Sequence, residues 1–196
     1  IKGEAFLKGN LARIALKDVE LNVNYLLIIS TSAGLWSYNI GDTIKFTSLE
    51  PFRIIVTGRI KHFLSAFGEH VISEEVEKAM DAATKLHNVA IREFTVAPNI
   101  NPKEMLPHHE WYVEFESLPK DMLAFSKALD KEMTRLNIYY KDLIDGKILK
   151  SLEVISVIRG GFNQYMKSEG RLGGQNKVPR LSNDRKIADK LKTIST

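Results

Sequence analysis

The 196-residue sequence contains no cysteine, which excludes a disulfide-stapled scaffold and a thiol nucleophile and fits a reducing, cytoplasmic setting. Long apolar runs are missing as well. The longest, Tyr25 to Ile29, is of strand length, far short of the roughly 20 residues a helix needs to cross a bilayer, so no membrane partner is expected. The chain has neither an initiator methionine nor a signal-like start, and Ile1 is therefore expected to be an internal residue of a longer protein. The Walker phosphate-loop pattern is also absent. The stretch Gly170 to Lys177 holds glycines and a lysine, but not the spacing that cradles a triphosphate, and a helix stop followed by a surface loop accounts for it.

What is present is enough to build a core. Hydrophobic residues make up 44% of the chain and charged residues 27%, close to the average of globular proteins. The net charge of +4 is concentrated late, at Arg171, Lys177, Arg180, Arg185, Lys186, Lys190 and Lys192. Few aromatics interleave with those cations, so a solvated basic tail is expected, and nucleic acid is not the expected partner.

In chain order, the first sixty residues alternate like β-structure. Short strands are expected at Glu4 to Lys8, Ala12 to Leu16, Tyr25 to Thr31, Leu35 to Asn39, Thr43 to Thr47 and Phe52 to Thr57, with a turn closing on Gly41-Asp42. After Lys61 the pattern becomes mixed. A helix is expected from Ser73, with Val76, Ala79, Met80 and Ala83 on its buried stripe. Strands follow at Val89 to Val96, ended by Pro98, and across Trp111, Val113 and Phe115, read as half-buried. Pro119 opens a helix with Met122, Phe125, Leu129, Met133 and Leu136 on one face; then come a strand at Leu152 to Ile158 and short helices at Phe162 to Lys167 and Asp184 to Leu191. The expected fold is α+β: a small antiparallel β subdomain over residues 1–60, then a mobile α+β sandwich domain over residues 61–196.

One stretch carries readable chemistry. Asp42 follows a glycine after an aromatic, β-rich segment, and an ionised carboxylate has two acceptor oxygens and no donor, which suits the paired hydroxyls of a ribose. A turn aspartate capping backbone amides is the plain alternative. Tyr38 stands either beside such a ligand or in the sheet. The Arg59 guanidinium suits a phosphate or ribose oxygen, and equally a glutamate across a strand end. Lys61 lies at a polar joint between the two halves, where one body can swing against the other. Gly68, Glu69 and His70 form a turn beyond it. His108 and His109 are adjacent, so they point to opposite sides of an extended chain with no cysteine or third histidine nearby, and no metal site is expected there.

Taken together, Tyr38-Asn39-Ile40-Gly41-Asp42, Gly58-Arg59-Ile60-Lys61 and Gly68-Glu69-His70-Val71-Ile72-Ser73-Glu74-Glu75-Val76-Glu77 resemble the nucleotide-and-hinge segment of the adenylate-forming superfamily. Ala33-Gly34-Leu35 before the Tyr-x-x-Gly-Asp motif, the spacing of the motifs and the ending Gln175 to Arg180 make the chain similar to the Gretchen Hagen family, the auxin-responsive promoter proteins, which are acyl acid amido synthetases. The resemblance covers only the C-terminal part of that family's length. Asn39 departs from it, since arginine or lysine is usual at this place.

The resemblance implies an enzyme that uses ATP and Mg²⁺ to adenylate a carboxylic acid and then passes the acyl group to an amino acid amine. Asp42, Arg59 and Tyr38 would bind the nucleotide, and Lys61 would be the hinge. Lys177 would be the catalytic lysine that contacts the acyl carboxylate and the α-phosphate, and the loop Gly68, Glu69 and His70 would lie on the acceptor side. The Mg²⁺ ligands, the phosphate loop and the acyl pocket would belong to a missing N-terminal domain of the same protein, leaving this chain alone inactive. A thioester-forming acyl-CoA ligase and a non-catalytic nucleotide- or nucleic-acid-binding module remain as alternatives.

Overall fold

A computed structural model describes all residues except 4, 6–9, 11, 60–62, 104, 172, 174–176 and 196. The chain divides into two compact units, Ile1–His62 with Ile72–Glu74, and Phe63–Val71 with Glu75–Thr196. Each is α+β or β in the sense expected: an antiparallel sheet in the first, and a mixed sheet packed with helices in the second.

The first unit is a three-stranded meander of β1 (Asn24–Ile29), β2 (Tyr38–Leu49) and β3 (Phe52–Arg59), in that spatial order. Tyr25, Ile44 and Phe46 form its small core, with Tyr25 and Phe46 meeting edge to face at 5.9 Å. Such a pair is favourable because the positive edge of one ring meets the negative face of the other. Three expectations are corrected here. The strand expected at Leu35 to Asn39 begins only at Tyr38 and runs on without a break through Thr43 to Thr47, so Gly41-Asp42 lies within one strand instead of closing a turn. Residues 12–15 form no strand and lead into a short 3-10 helix, Leu16–Asp18. The strand expected at Glu4 to Lys8 falls largely outside the described residues. On β3 the side chains of Phe52, Ile54, Ile55 and Val56 are all exposed, as is Trp36 before β2.

The second unit begins at β4 (Phe63–Leu64), which pairs with β5 (Val71–Ile72); β5 runs into α1 (Ser73–His87), which belongs to the second unit from Glu75 on. Val76, Ala79, Met80 and Ala83 are the buried residues of α1, as their spacing predicts. A sheet follows, in the order β6 (Ile91–Asn99), β7 (His108–Phe115) and β8 (Glu153–Val157), with β6 and β7 antiparallel and β7 and β8 parallel. The parallel pair needs a crossover, supplied by α2 (Met122–Leu136) and α3 (Ile138–Asp145). Two short helices, α4 (Gly161–Ser168) and α5 (Lys186–Ser195), complete the unit. No helix among the described residues is long and apolar enough to cross a membrane.

The central strand β7 explains the layering. It was expected to be half-buried, but all eight of its residues are buried. Trp111, Val113 and Phe115 pack into one core with α1, α2 and α3, while Tyr112 packs into a second with α4 and α5. Alternate polar residues survive there because each has a partner. The Glu110 carboxylate accepts hydrogen bonds from Arg185 Nη2 at 2.7 Å and the Tyr112 hydroxyl at 2.8 Å, and Glu114 accepts from the Gly160 amide at 2.8 Å. Burying such groups without partners would cost several kcal/mol, roughly 2–7 each.

Other boundaries shift for local reasons. Pro98 does not end β6 but sits inside it, at a strand edge where its missing N–H breaks no ladder bond to β7. Along that edge Val96 pairs in parallel with Leu181, the Val96 amide donating to the Arg180 carbonyl and the Ser182 amide to the Val96 carbonyl. The α2 helix starts three residues after Pro119, where Asp121 accepts a hydrogen bond from the Ala124 amide at 2.9 Å. The sequence reading missed α3. Asn137 alone separates it from α2, leaving helical geometry for one residue while its side chain accepts from the Tyr140 amide.

The basic tail is not simply solvated. Arg180 pairs with Glu77 and Glu93, Arg185 with Glu110 and Asp189, Lys186 with Asp184 and Lys190 with Glu169. Arg180 also lies 4.5 Å above the Phe94 ring, where the guanidinium meets the negative π-face.

Candidate functional site

In the first unit the chemistry centres on an irregularity in β2. Leu26 is opposite Thr43 and Ile28 is opposite Asn39, so one residue of β1, Leu27, faces three of β2: Ile40, Gly41 and Asp42. A bulge of this kind bends a strand and re-aims its side chains. Gly41 makes it possible with a φ of 84°, a left-handed conformation that costs glycine little. A Cβ at Gly41 would meet nothing within 4 Å, so the requirement is conformational and not steric. The Asn39 side chain accepts a hydrogen bond from the Gly41 amide at 2.8 Å. Asn39 thus holds the bulge in shape.

Asp42 emerges from the bulge half-buried, neither sealed in the core nor fully in solvent. Its cross-strand partner is Arg59, the last residue of β3. The register therefore brings an acid and a base to the same end of the sheet, although the Arg59 side chain is outside the described part of the structure. Tyr38 opens β2 with its side chain half-exposed. Lys61 lies outside the described residues.

The hairpin loop of the second unit divides its three candidates. Gly68 is exposed, with a φ of 92°. His70 is half-buried; its Nδ1 lies 2.8 Å from the Ser65 hydroxyl, and its ring meets Tyr139 edge to face at 6.0 Å. Glu69 turns inward and is completely buried. Its carboxylate meets His109 Nε2 at 2.9 Å and accepts from the Phe67 amide at 2.8 Å. Burial pushes the Glu69 carboxyl up, but the hydrogen bond and charge of His109, with the backbone amides, outweigh it and hold the group below its ordinary value of 4.5. Glu69 is thus a group that fixes the loop. His109 is held between the Phe67 and Tyr140 rings, and Asn137 donates to the Glu69 carbonyl and to Glu75, each at 3.0 Å. No sequence signal nearby points to this network, because its members lie far apart in the chain and meet only when β7 is seated.

Lys177 is exposed on the rim of an open groove of about 310 Å³, which is also lined by Arg92, Glu114, Phe162 and Asn163. None of the residues Gly68 to His70 lines that groove, so within this unit the structure does not gather the loop and the lysine into one site. An exposed ammonium on a side chain with four rotatable carbons is a mobile point charge, suited to meeting an anion brought to it.

The model for the GH3 family C-terminal domain matches residues 74–186, and the model for the GH3 family central domain matches residues 6–59. Among curated proteins, the chain is 28% identical over 183 residues to indole-3-acetic acid-amido synthetase GH3.4 of Arabidopsis thaliana, covering 85% of this chain and 30% of that protein. It is 26% identical to indole-3-acetic acid-amido synthetase GH3.3 of the same plant, with the same coverage of 85% and 30%. Among solved structures, a GH3.15 acyl acid amido synthetase superposes with a TM-score of 0.73 at 21% identity, over 93% of this chain and 36% of that one. A second, described as in complex with 2,4-DB, gives 0.69 at 22% identity. The chain thus spans about a third of the length of the proteins it resembles.

Proposed function

The chain belongs to the GH3 family, and from that premise we propose that it works as the C-terminal part of an ATP-dependent acyl acid amido synthetase. In the first step a carboxylate oxygen attacks the α-phosphate of ATP, and pyrophosphate leaves. In the second, an amino acid amine attacks the acyl carbon, the amide forms and AMP leaves. The observation that carries this reading is the β2 bulge, which presents a half-buried carboxylate, Asp42, opposite Arg59 at one end of a sheet.

In this reading Asp42 accepts hydrogen bonds from the two ribose hydroxyls, since a carboxylate can take both and donate neither. Arg59 supplies a forked cation for a phosphate or ribose oxygen, and Tyr38 lies beside the nucleotide. Lys61 is the hinge between a domain ending at residue 60 and a mobile one beginning at residue 61. Lys177 carries its ammonium to the acyl carboxylate and the α-phosphate and offsets the charge that develops there. The loop of Gly68 and His70, fixed from below by Glu69, faces the acceptor amine in the second step. ATP with Mg²⁺ supplies the activated phosphoryl group, and the Mg²⁺ ligands lie outside this chain. A missing N-terminal domain covers the apolar side chains of β3 and provides the acyl pocket. The enzyme is cytoplasmic.

The test is pyrophosphate release from the complete protein with ATP and a panel of carboxylic acids, followed by identification of the product formed with amino acids or with CoA. An acid-dependent release and an N-acyl amino acid are expected. An acyl-CoA product, or no acid-dependent release, would overturn the reading. The 196-residue chain alone is expected to release no pyrophosphate.

A further inference from the structure

At the start of β7 and β8, two glutamates stand directly opposite each other, Glu110 across from Glu153 in the parallel register. Like charges so placed repel unless a positive centre lies between or behind them. Each has a cation behind it. One Glu110 oxygen, Oε2, is held by Arg185 and the Tyr112 hydroxyl, and one Glu153 oxygen, Oε1, pairs with Lys150. The remaining oxygens, Glu110 Oε1 and Glu153 Oε2, turn toward a third group, the His108 imidazole. Glu110 Oε1 also accepts from the Asn99 amide at 2.9 Å.

His108 is only 1% exposed at its side chain. Its Nδ1 lies 3.1 Å from the Leu106 carbonyl oxygen. A carbonyl only accepts, so Nδ1 carries the hydrogen, and the Nε2 of the neutral ring presents a lone pair. That Nε2 is buried and makes no hydrogen bond. It faces Glu153 Oε2 at 3.3 Å and Glu110 Oε1 at 3.9 Å, and the three atoms all lie within 4.8 Å of one another. A buried lone pair turned on two carboxylate oxygens needs a positive centre in their midst. Tetrahedral metal–nitrogen and metal–oxygen bonds of about 2.0–2.2 Å place neighbouring ligand atoms roughly 3.3–3.5 Å apart. Of the three separations, that between His108 Nε2 and Glu153 Oε2 already has that length, that between His108 Nε2 and Glu110 Oε1 needs to close by a few tenths of an ångström, and the two carboxylates, which lie within 4.8 Å of each other, draw together on the ion.

We propose that His108, Glu110 and Glu153 bind a divalent transition metal ion of the zinc type. One imidazole nitrogen and two carboxylate oxygens favour such an ion over Mg²⁺ or Ca²⁺, which take oxygen ligands. The Leu106 carbonyl fixes the His108 tautomer as an outer partner does for metal-bound histidines. Glu153 is 42% exposed, so water can enter and fill the fourth position. The ion would fasten β7 to β8 where their parallel pairing begins and hold the loop before β7 through Leu106.

The experiment is titration of the chelator-treated 196-residue chain with Zn²⁺ by calorimetry and with Co²⁺ by visible absorption, alongside Glu153→Gln and His108→Gln. The expected result is saturable binding of one Zn²⁺, a thermal midpoint raised by Zn²⁺, and an affinity weakened about tenfold or more in Glu153→Gln. Glu153 is part-exposed, so that variant decides the matter even where His108→Gln fails to fold. No saturable binding, or equal binding by wild type and Glu153→Gln, would overturn the proposal. The first outcome would leave His108, Glu110 and Glu153 as a polar cluster without an ion, and the second would assign the metal to groups outside this cluster.

Discussion

His109 Nε2 and the Glu69 carboxylate, forty residues apart in the chain, meet at 2.9 Å with both side chains sealed from solvent. The pair connects the hairpin loop to the central strand of the second unit. Removing one member leaves the other buried without its partner, and losses of that kind run to about 3–5 kcal/mol. Glu69→Ala is therefore expected to lower the unfolding free energy of the chain by about 3 kcal/mol, measured by urea denaturation at neutral pH. A change under about 0.5 kcal/mol, the size of an ordinary surface substitution, would contradict the role given to this pair.

The same pair sets a pH dependence with a definite sign. The Glu69 carboxyl titrates below its ordinary value of 4.5 in the folded chain. The stability it contributes is thus fully present above that pH and is lost as pH falls through the lower folded value. Glu69→Gln cannot titrate there. The gap in unfolding free energy between wild type and Glu69→Gln should be widest above pH 4.5 and narrow progressively below it. A gap that stays constant into the acid range would count against the assignment.

Gly161 opens α4 against β8, and a Cβ built there would lie 2.5 Å from Val157 Cγ1. Both residues are buried, so neither has room to move aside. Gly161→Ala should destabilise the chain by about 1–3 kcal/mol, the range for an overpacked core. Adding Val157→Ala should recover part of that loss. Thermal melts of the two variants and their combination would reveal non-additivity if the contact is real.

Much of this architecture was legible before any coordinates. The α1 stripe of Val76, Ala79, Met80 and Ala83 and the α2 face of Phe125, Leu129 and Met133 follow from helical spacing alone. Other features depend on what packs against them. The alternation in β7 looked like one wet face because its polar members resemble solvent residues, yet Glu110, Tyr112 and Glu114 are matched by Arg185 and by the amides opening α4. At the candidate site, Gly41-Asp42 was visible as a departure from regular sequence, but whether it made a turn or a bulge depended on how β1 pairs with β2. The histidines were read through their own neighbours in the chain. His108 does point away from His109, as alternation requires, but its partner Glu153 arrives from a strand more than forty residues downstream.

In the complete protein, the nucleotide reading predicts separable defects. Asp42→Ala should weaken ATP use by roughly 10- to 100-fold, the equivalent of losing charge-assisted hydrogen bonds worth about 1.5–3 kcal/mol. Lys177→Ala should slow acyl-adenylate formation by about two to three powers of ten while sparing aminolysis of an acyl-adenylate supplied ready-made. Pyrophosphate exchange and single-turnover amide formation measure the two steps. Equal loss in both steps for Lys177→Ala would show that the lysine does not belong to adenylation alone.

The parallel pairing of Val96 with Leu181 closes the outer margin of β6 with the chain's own late segment. A strand left open at that margin would offer its amides and carbonyls as a template for other copies, the usual beginning of aggregation. Those few residues after Pro179 therefore cover backbone that β6 would otherwise present, and a chain cut short before Arg180 would bare that margin together with the core that Ile187, Ala188 and Leu191 help to fill.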